Sequence, residues 1–258
     1  MINTHWILNT LRNKLRATPI GKIIHGIDQK EEKICFIAAT RLSESEFWQN
    51  SPLGTCLKPL LDDTDISAKI IFRNADGLPT VYNNGINSEH HADILIFLHD
   101  DIWLEDIDFI AKIKAALNQF DIVGIAGNTR RSKHQPAWLF RSIENNKFVW
   151  DDGYLSGSVL HGRPGHSEPS YFGPTPANCQ LLDGVLLAGK RKTLIRSNLK
   201  FDTQFNFHFY DMDFCRSARQ AGLTLGTWPL GILHLSSGAF GNSAWQQGHS
   251  IYIKKWKA

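Results

Sequence analysis

The sequence predicts an α/β fold built on a doubly wound sheet, mixed but mostly parallel. Short apolar runs rich in strand formers recur at residues 33–39, 68–73, 93–98 and 121–126. Amphipathic or turn-rich stretches separate them, so the order reads strand, helix, strand, helix, which places helices on both faces of a parallel sheet. The run from Ile94 to Leu98 has no polar alternation, the pattern of a strand buried on both faces.

The first strand, residues 33–39, ends in Thr40-Arg41. The second, 68–73, ends in Asn74-Ala-Asp-Gly77, and Pro79 then suits the first turn of a helix over 79–91. The third, 93–98, breaks off in His99-Asp100-Asp101. Residues 105–120 carry Ile107, Ile110, Ile113 and Leu117 at near-helical spacing, with acids early and lysines later. Residues 121–126 read as one fourth strand. Residues 128–182 then turn loop-rich, with several prolines and glycines, Trp138, Trp150, Tyr154, Tyr171, Phe172 and three histidines. So long a segment in a compact domain marks a lid or binding region. Regular structure resumes at 181–188; a helix follows over 209–221, stopped by Gly222, and short strands at 223–227 and 231–235.

The formal charge of +3 over 258 residues is too small to argue for nucleic acid. Four scattered cysteines without a CxxC pair exclude a zinc or disulfide framework and fit a cytoplasm-like compartment. The N-terminus lacks the continuous apolar core of a signal peptide, and no stretch has the ~20 apolar residues that span a bilayer. Residues 1–27 hold Arg12, Lys14, Arg16 and Lys22 without an acid, and the chain ends in Lys254-Lys-Trp-Lys-Ala258. Two readings of these ends stand open: helices that pack an apolar face on the domain, or peripheral contact with anionic lipid.

The carboxyl ends of strands are where open α/β sheets bind ligands. Residues two apart share one side of a strand, so His99 and Asp101 point together and Asp100 away. A carboxylate there suits a cation that bridges phosphates. Three further clusters follow: Leu182-Asp-Gly184, Tyr210-Asp-Met-Asp213, and His234 before Ser236-Ser-Gly238. Asp211 and Asp213 diverge by about 200° on a helix. One of them faces a site; the other caps the helix or pairs with an arginine such as Arg216.

In this order the clusters resemble family 2 glycosyltransferases of the GT-A fold, closest to the bacterial branch with His-x-Asp at the strand end. The matching pieces run from about Lys33 to Gly238: Ala38-Ala-Thr-Arg41, Tyr82-Asn-Asn-Gly85, Phe97-Leu-His-Asp-Asp101, Leu182-Asp-Gly184, Phe201-Asp-x-x-Phe205, Tyr210-Asp-Met-Asp213, Ala221-Gly222 and His234. The resemblance implies a GT-A domain over 33–238, with a Rossmann-like nucleotide-sugar half at 33–127 and an acceptor half at 128–238. Residues 1–32 form a basic helical segment and 239–258 a basic tail outside it. It implies that Asp101 and His234 hold Mn²⁺ or Mg²⁺. Ala39, Arg41, Asn74, Asn83, His99 and Asp100 then fall on the donor side. Asp183, Tyr210 and Trp138 face the acceptor, and Asp211 is the catalytic base. His99 stands where the family has an acid, and Tyr210 where it has a glutamate.

The expected reaction is inverting, metal-dependent transfer of a sugar from a nucleoside diphosphate, a UDP-sugar being the leading donor. The acceptor is a glycan or lipid-linked glycan of a bacterial surface polysaccharide, met in the cytoplasm at the inner face of the membrane. A cation neutralises the leaving diphosphate, and a carboxylate opposite takes the hydroxyl proton. Two other readings stand beside it. A nucleotidyltransferase would want a glycine-rich loop after the first strand, and Ala38-Ala-Thr-Arg-Leu-Ser43 has no glycine. A non-catalytic carbohydrate-binding protein on the same scaffold is consistent with the replacements His99 and Tyr210.

Overall fold

The computed structural model describes residues 31–236 and 238–257. Most of the N-terminal basic segment therefore lies outside the described residues. Contacts divide the chain into Met1–Glu32 and Lys33–Ala258, and the elements below belong to the second unit.

Strands β1 (Ile34–Ala39), β2 (Ile66–Ile71) and β3 (Ile94–Leu98) lie parallel with β1 in the middle. Ile34 pairs with both Ile66 and Ile94, so the three carboxyl ends emerge together. β3 is buried along its whole length, as its unbroken apolar run requires, whereas the edge strand β2 is only half-buried. Helix α1 (Glu44–Asn50) starts at a capping box in which Glu46 accepts from the Ser43 N–H. α2 (Pro52–Leu57) and α3 (Leu78–Ser88), each with proline in its first turn, complete the crossovers.

The sheet continues through β13 (Leu186–Lys190), antiparallel between β3 and β5 (Ile122–Gly124), then β14 (Leu225–Thr227) parallel to β5, and β11 (Ala177–Cys179) at the edge. Its order is β11-β14-β5-β13-β3-β1-β2. A second sheet, β12-β6-β9-β15-β4, is formed by β4 (Ile102–Leu104), β6 (Ala126–Asn128), β9 (Leu155–Arg163), β12 (Leu181–Leu182) and β15 (Ile232–His234), with β10 (His166–Gly173) paired to β9.

Two stretches expected as single elements are each divided between these sheets. Residues 121–126 break at Ile125 into β5 and β6, and 181–188 break at Asp183-Gly184-Val185 into β12 and β13. The crossings are fastened to each other and to the strand end: Asp183 N–H donates to Ala126 O at 2.8 Å, and His99 N–H to Val185 O at 3.2 Å. An apolar run looks the same whether it stays in one sheet or passes into the next, so periodicity hides both breaks.

The helix expected over 105–120 shortens to α4 (Phe109–Ala116). Its early acids serve another purpose: Asp106 accepts from Gly231 N–H at 2.7 Å and pairs with Lys112 at 2.8 Å. The supposed loop of 128–182 is largely strand. Besides β9 to β12 it holds a hairpin of β7 (Phe140–Glu144) and β8 (Lys147–Trp150). β10 is exposed along most of its length and carries Pro169, which an outer strand tolerates, so neither alternation nor composition announced it.

α5 (Arg191–Arg196) leads to the loop before α6 (Tyr210–Gln220), which ends at Gly222 with φ 80°. The basic C-terminus folds as α7 (Ser243–Trp256), with Trp245 and Tyr252 buried. Asp213 on α6 is fully buried and pairs with Lys255 (2.7 Å) and the Trp256 indole N–H (2.8 Å). The expected partner Arg216 instead stacks its guanidinium 4.2 Å from the Trp256 ring, because α7 covers α6 and brings its own cation to Asp213. Among the described residues no helix is long and apolar enough to cross a membrane.

Candidate active site

Three side chains meet at the end of β3. His99 Nδ1 lies 4.0 Å and His234 Nε2 3.2 Å from Asp101 Oδ1, and one donor atom from each falls within 4.8 Å of the others. The reason is register. β4 leaves Asp101 directly and pairs antiparallel with β15, so His234 lies opposite Ile102, and Leu235 N–H donates to Asp101 O. Asp100 turns the other way, to the Thr40 side chain at the end of β1.

Asp101 Oδ1 is buried and makes no hydrogen bond of good geometry among the described residues, although His234 Nε2 is near. A buried carboxylate oxygen left in this state costs free energy, and two imidazole nitrogens converge beside it. This donor set fits a divalent cation. Burial alone would raise the Asp101 pKa; the neighbouring imidazoles, His234 foremost, outweigh it and hold the carboxyl down at about 2. Burial lowers the His99 pKa to about 4 against the opposing charge of Asp101. His99 is thus a neutral imidazole at pH 7, the form that ligates metal.

Tyr210 fixes which nitrogen is free. Its hydroxyl proton goes to Gly184 O at 2.7 Å, so toward His99 Nε2, 3.0 Å away, the hydroxyl oxygen accepts. His99 then carries its proton on Nε2 and keeps the Nδ1 lone pair on the Asp101 side. Tyr210 is only 2% exposed, with Tyr82 and Phe201 packed around its ring. Its expected place against the acceptor is therefore corrected: the ring is core, and the hydroxyl positions His99.

Gly184 also holds Asp211. Its N–H donates to Asp211 Oδ2 at 3.1 Å, and Met212 N–H donates to Oδ1 at 2.8 Å. A Cβ on Gly184 would meet the Asp211 Cβ at 2.8 Å and the Tyr210 hydroxyl closer still, so only glycine fits between sheet and helix here. Burial, and after it the charge of Asp183, raise the Asp211 pKa to about 7 against those two backbone donors. A helix start favours the ionised form of an acid; here desolvation outweighs it. Asp183 itself is pushed up by burial while accepting from Val185 N–H at 3.1 Å.

Of the residues expected on the donor side, Ala39, Arg41 and Asn74 lie at the joined ends of β1 and β2, where Asn74 N–H donates to Thr40 O at 2.8 Å and Arg41 is exposed. Asn83 departs from expectation. Its amide donates to Phe201 O (2.8 Å) and accepts from Phe201 N–H (2.9 Å), so both polar atoms are spent on fastening the loop before α6 to α3. Trp138 also departs. It is buried, edge-on to Phe172 at 5.0 Å, and belongs to the core beneath the hairpin rather than to a ligand face.

Two neighbours of the site were missed. Phe207, 51% exposed, stacks on His99 with ring centroids 5.5 Å apart. His161 lies opposite His234 in the β9–β15 pairing, with ring centroids 5.9 Å apart. The crowded aromatics at 201–210 offered a signal for Phe207. Nothing local marks His161, which only strand pairing brings in.

Residues 63–230, about two thirds of the chain, match the model of a family described as "Glycosyltransferase like family". The chain belongs to this family. The mixed α/β architecture is the fold class expected from the sequence. Solved structures similar to this glycosyltransferase include A197 from STIV (14% identity, TM-score 0.46, covering 80% of this chain and 86% of that one). Another is the catalytic domain of Drosophila β1,4-galactosyltransferase 7 in complex with xylobiose (14%, 0.44, 76% and 64%). A third is GalNAc-T7 with UDP, GalNAc and Mn²⁺ (12%, 0.49, 88% and 48%), so the chain spans about half of that protein. No curated protein sequence matches it.

Proposed function

We propose that this glycosyltransferase moves a sugar from a nucleoside-diphosphate donor, a UDP-sugar first among them, to an acceptor hydroxyl, with inversion. The observation that carries the reading is the connection between the two halves of the site. Gly184 and Tyr210 join the His99–Asp101–His234 cluster on one side to Asp211 on the other.

His99, Asp101 and His234 are the residues that would hold a cation. Two imidazoles beside one carboxylate favour Mn²⁺ over Mg²⁺. A bound cation would neutralise charge on the leaving diphosphate. The nucleoside belongs at the level ends of β1, β2 and β3, against Ala39, Arg41 and Asn74, with Asp100 below. Asp211, with a pKa near 7, is matched to removing a hydroxyl proton at neutral pH. Asp183 raises that pKa and marks the acceptor side. Attack from the Asp211 side, opposite the diphosphate, inverts the anomeric carbon.

The acceptor fits a glycan or lipid-linked glycan of a bacterial surface polysaccharide, reached from the cytoplasm. Contact with the inner membrane face would draw on the basic ends, although Lys255 is already committed to Asp202 and Asp213. Thermal-shift screening of UDP, other nucleoside diphosphates and their sugars, with and without Mn²⁺, tests the donor half. A melting temperature raised by UDP only with Mn²⁺ supports the reading, and no shift with any nucleotide overturns it.

A further inference from the structure

The aromatic residues of 128–182 do not all close a core. Trp150 at the end of β8 is 47% exposed and Tyr154 before β9 is 42% exposed. They line a cleft of about 340 Å³ together with Arg130, Arg141, Val149, Asp151 and Asp152. Each ring is backed by the protein. Phe172 stacks 6.4 Å from Trp150 at 21°, Phe140 meets Trp150 edge-on at 5.5 Å, and the Arg130 guanidinium lies 3.5 Å from the Tyr154 centroid.

The floor of the cleft is built and fixed. Asp151 is 1% exposed and accepts from Asn128 Nδ2 at 2.8 Å and from Arg130 Nε at 3.0 Å, with Arg130 Nη2 on its other oxygen. That pairing locks the guanidinium over Tyr154. Among the described residues the Trp150 indole N–H, the Tyr154 hydroxyl and Arg130 Nη1 have no hydrogen-bond partner. The two arginines are balanced by Asp151 and Asp152, so the cleft has no excess charge to select an anion. Rigid rings with an open edge, beside donors free to turn to hydroxyls, suit the apolar faces and hydroxyl rims of neutral sugars.

Two strands lead from this cleft to the transfer site. β9 starts beside Tyr154 and reaches His161, opposite His234, after about 20 Å of strand. From Arg130 the chain runs back through β6 to Ala126, whose carbonyl accepts from Asp183 N–H, over about 13 Å. We propose that the Trp150–Tyr154 cleft is a second saccharide-binding site, which grips a neutral oligosaccharide several units away from the hydroxyl being glycosylated. This rests on the transfer reading above and narrows its acceptor to a chain of uncharged sugars.

The test is calorimetric titration of the full chain, without donor, with neutral malto-, cello-, xylo- and chito-oligosaccharides. At least one series binds the wild type. Trp150→Ala and Tyr154→Ala each weaken that binding about tenfold or more, and Asp101→Asn leaves it unchanged. Trp150→Ala keeps the melting-temperature shift given by UDP with Mn²⁺, which shows that it is folded. Absence of binding by every series, or equal binding by both aromatic variants, overturns the proposal. If oligosaccharide binds but UDP with Mn²⁺ gives the wild type no shift, the transfer reading fails and the cleft stands as that of a carbohydrate-binding protein.

Discussion

Gly184 and Asp211 are in contact with no room between them: the glycine N–H donates to the carboxylate at 3.1 Å, and a single added carbon would lie 2.8 Å from the Asp211 Cβ. The carbonyl of the same glycine accepts a hydrogen bond from the Tyr210 hydroxyl, so one residue sets both the proposed base and the tautomer of His99. Gly184→Ala must move α6 away from the crossing. Displacements of about 1 Å cost on the order of 100-fold in rate. The expected result is a loss of that size in kcat with UDP binding kept, measured by steady-state transfer and thermal shift.

Asp211→Asn keeps the size of the side chain and removes the proposed base. Transfer is expected to fall by about 10²–10⁴-fold while UDP with Mn²⁺ still raises the melting temperature. Transfer at near the wild-type rate removes Asp211 from the mechanism.

The Asp211 pKa of about 7 fixes two pH dependences of opposite direction. Transfer by the wild type rises as pH passes through about 7, since only the ionised carboxylate accepts a proton. Stability runs the other way. The folded pKa lies above the ordinary carboxylate value of 3.8, so the native state holds the proton more tightly than the unfolded chain. This contribution is complete below about pH 4 and is lost as pH rises through 7. Asp211→Asn strands one of the two backbone donors at every pH but removes this titration, so its melting temperature is expected to fall less than that of the wild type between about pH 4 and pH 8 in a series of calorimetric scans.

Tyr210→Phe removes the acceptor that holds the His99 proton on Nε2 and should weaken Mn²⁺ binding about 10–100-fold. Direct titration with Mn²⁺ measures this independently of activity, and an unchanged affinity would separate Tyr210 from the cation site.

Lys255→Ala leaves the Asp213 carboxylate buried with the Trp256 indole as its remaining partner among the described residues. Breaking a buried pair by removing one partner costs about 3 kcal/mol or more. The double variant Asp213→Asn, Lys255→Ala removes the stranded charge and should recover part of that loss in urea unfolding.

Local order in the chain was sufficient for much of this. The five apolar residues of β3 dictate a strand buried on both faces, and the two-residue period of that strand puts His99 and Asp101 together with Asp100 opposed. The glycine after α6 and the proline opening α3 mark their ends, because backbone geometry at those residues is intrinsic. The order of acidic and histidine clusters was enough to suggest the family.

Tertiary structure decided what those residues touch. His234 reaches Asp101 because β15 pairs with β4, and His161 arrives because β9 pairs with β15. No local period encodes register between strands so far apart in sequence. Tyr210 and Trp138 turned out to be buried and Trp150 and Tyr154 exposed, since an aromatic side chain serves a core or a ligand equally well until its neighbours are known. Asp211 shows the same division: the sequence by itself placed it at a helix start, and only the enclosing structure, by excluding water and bringing up Asp183, made it a carboxylate that titrates near neutrality.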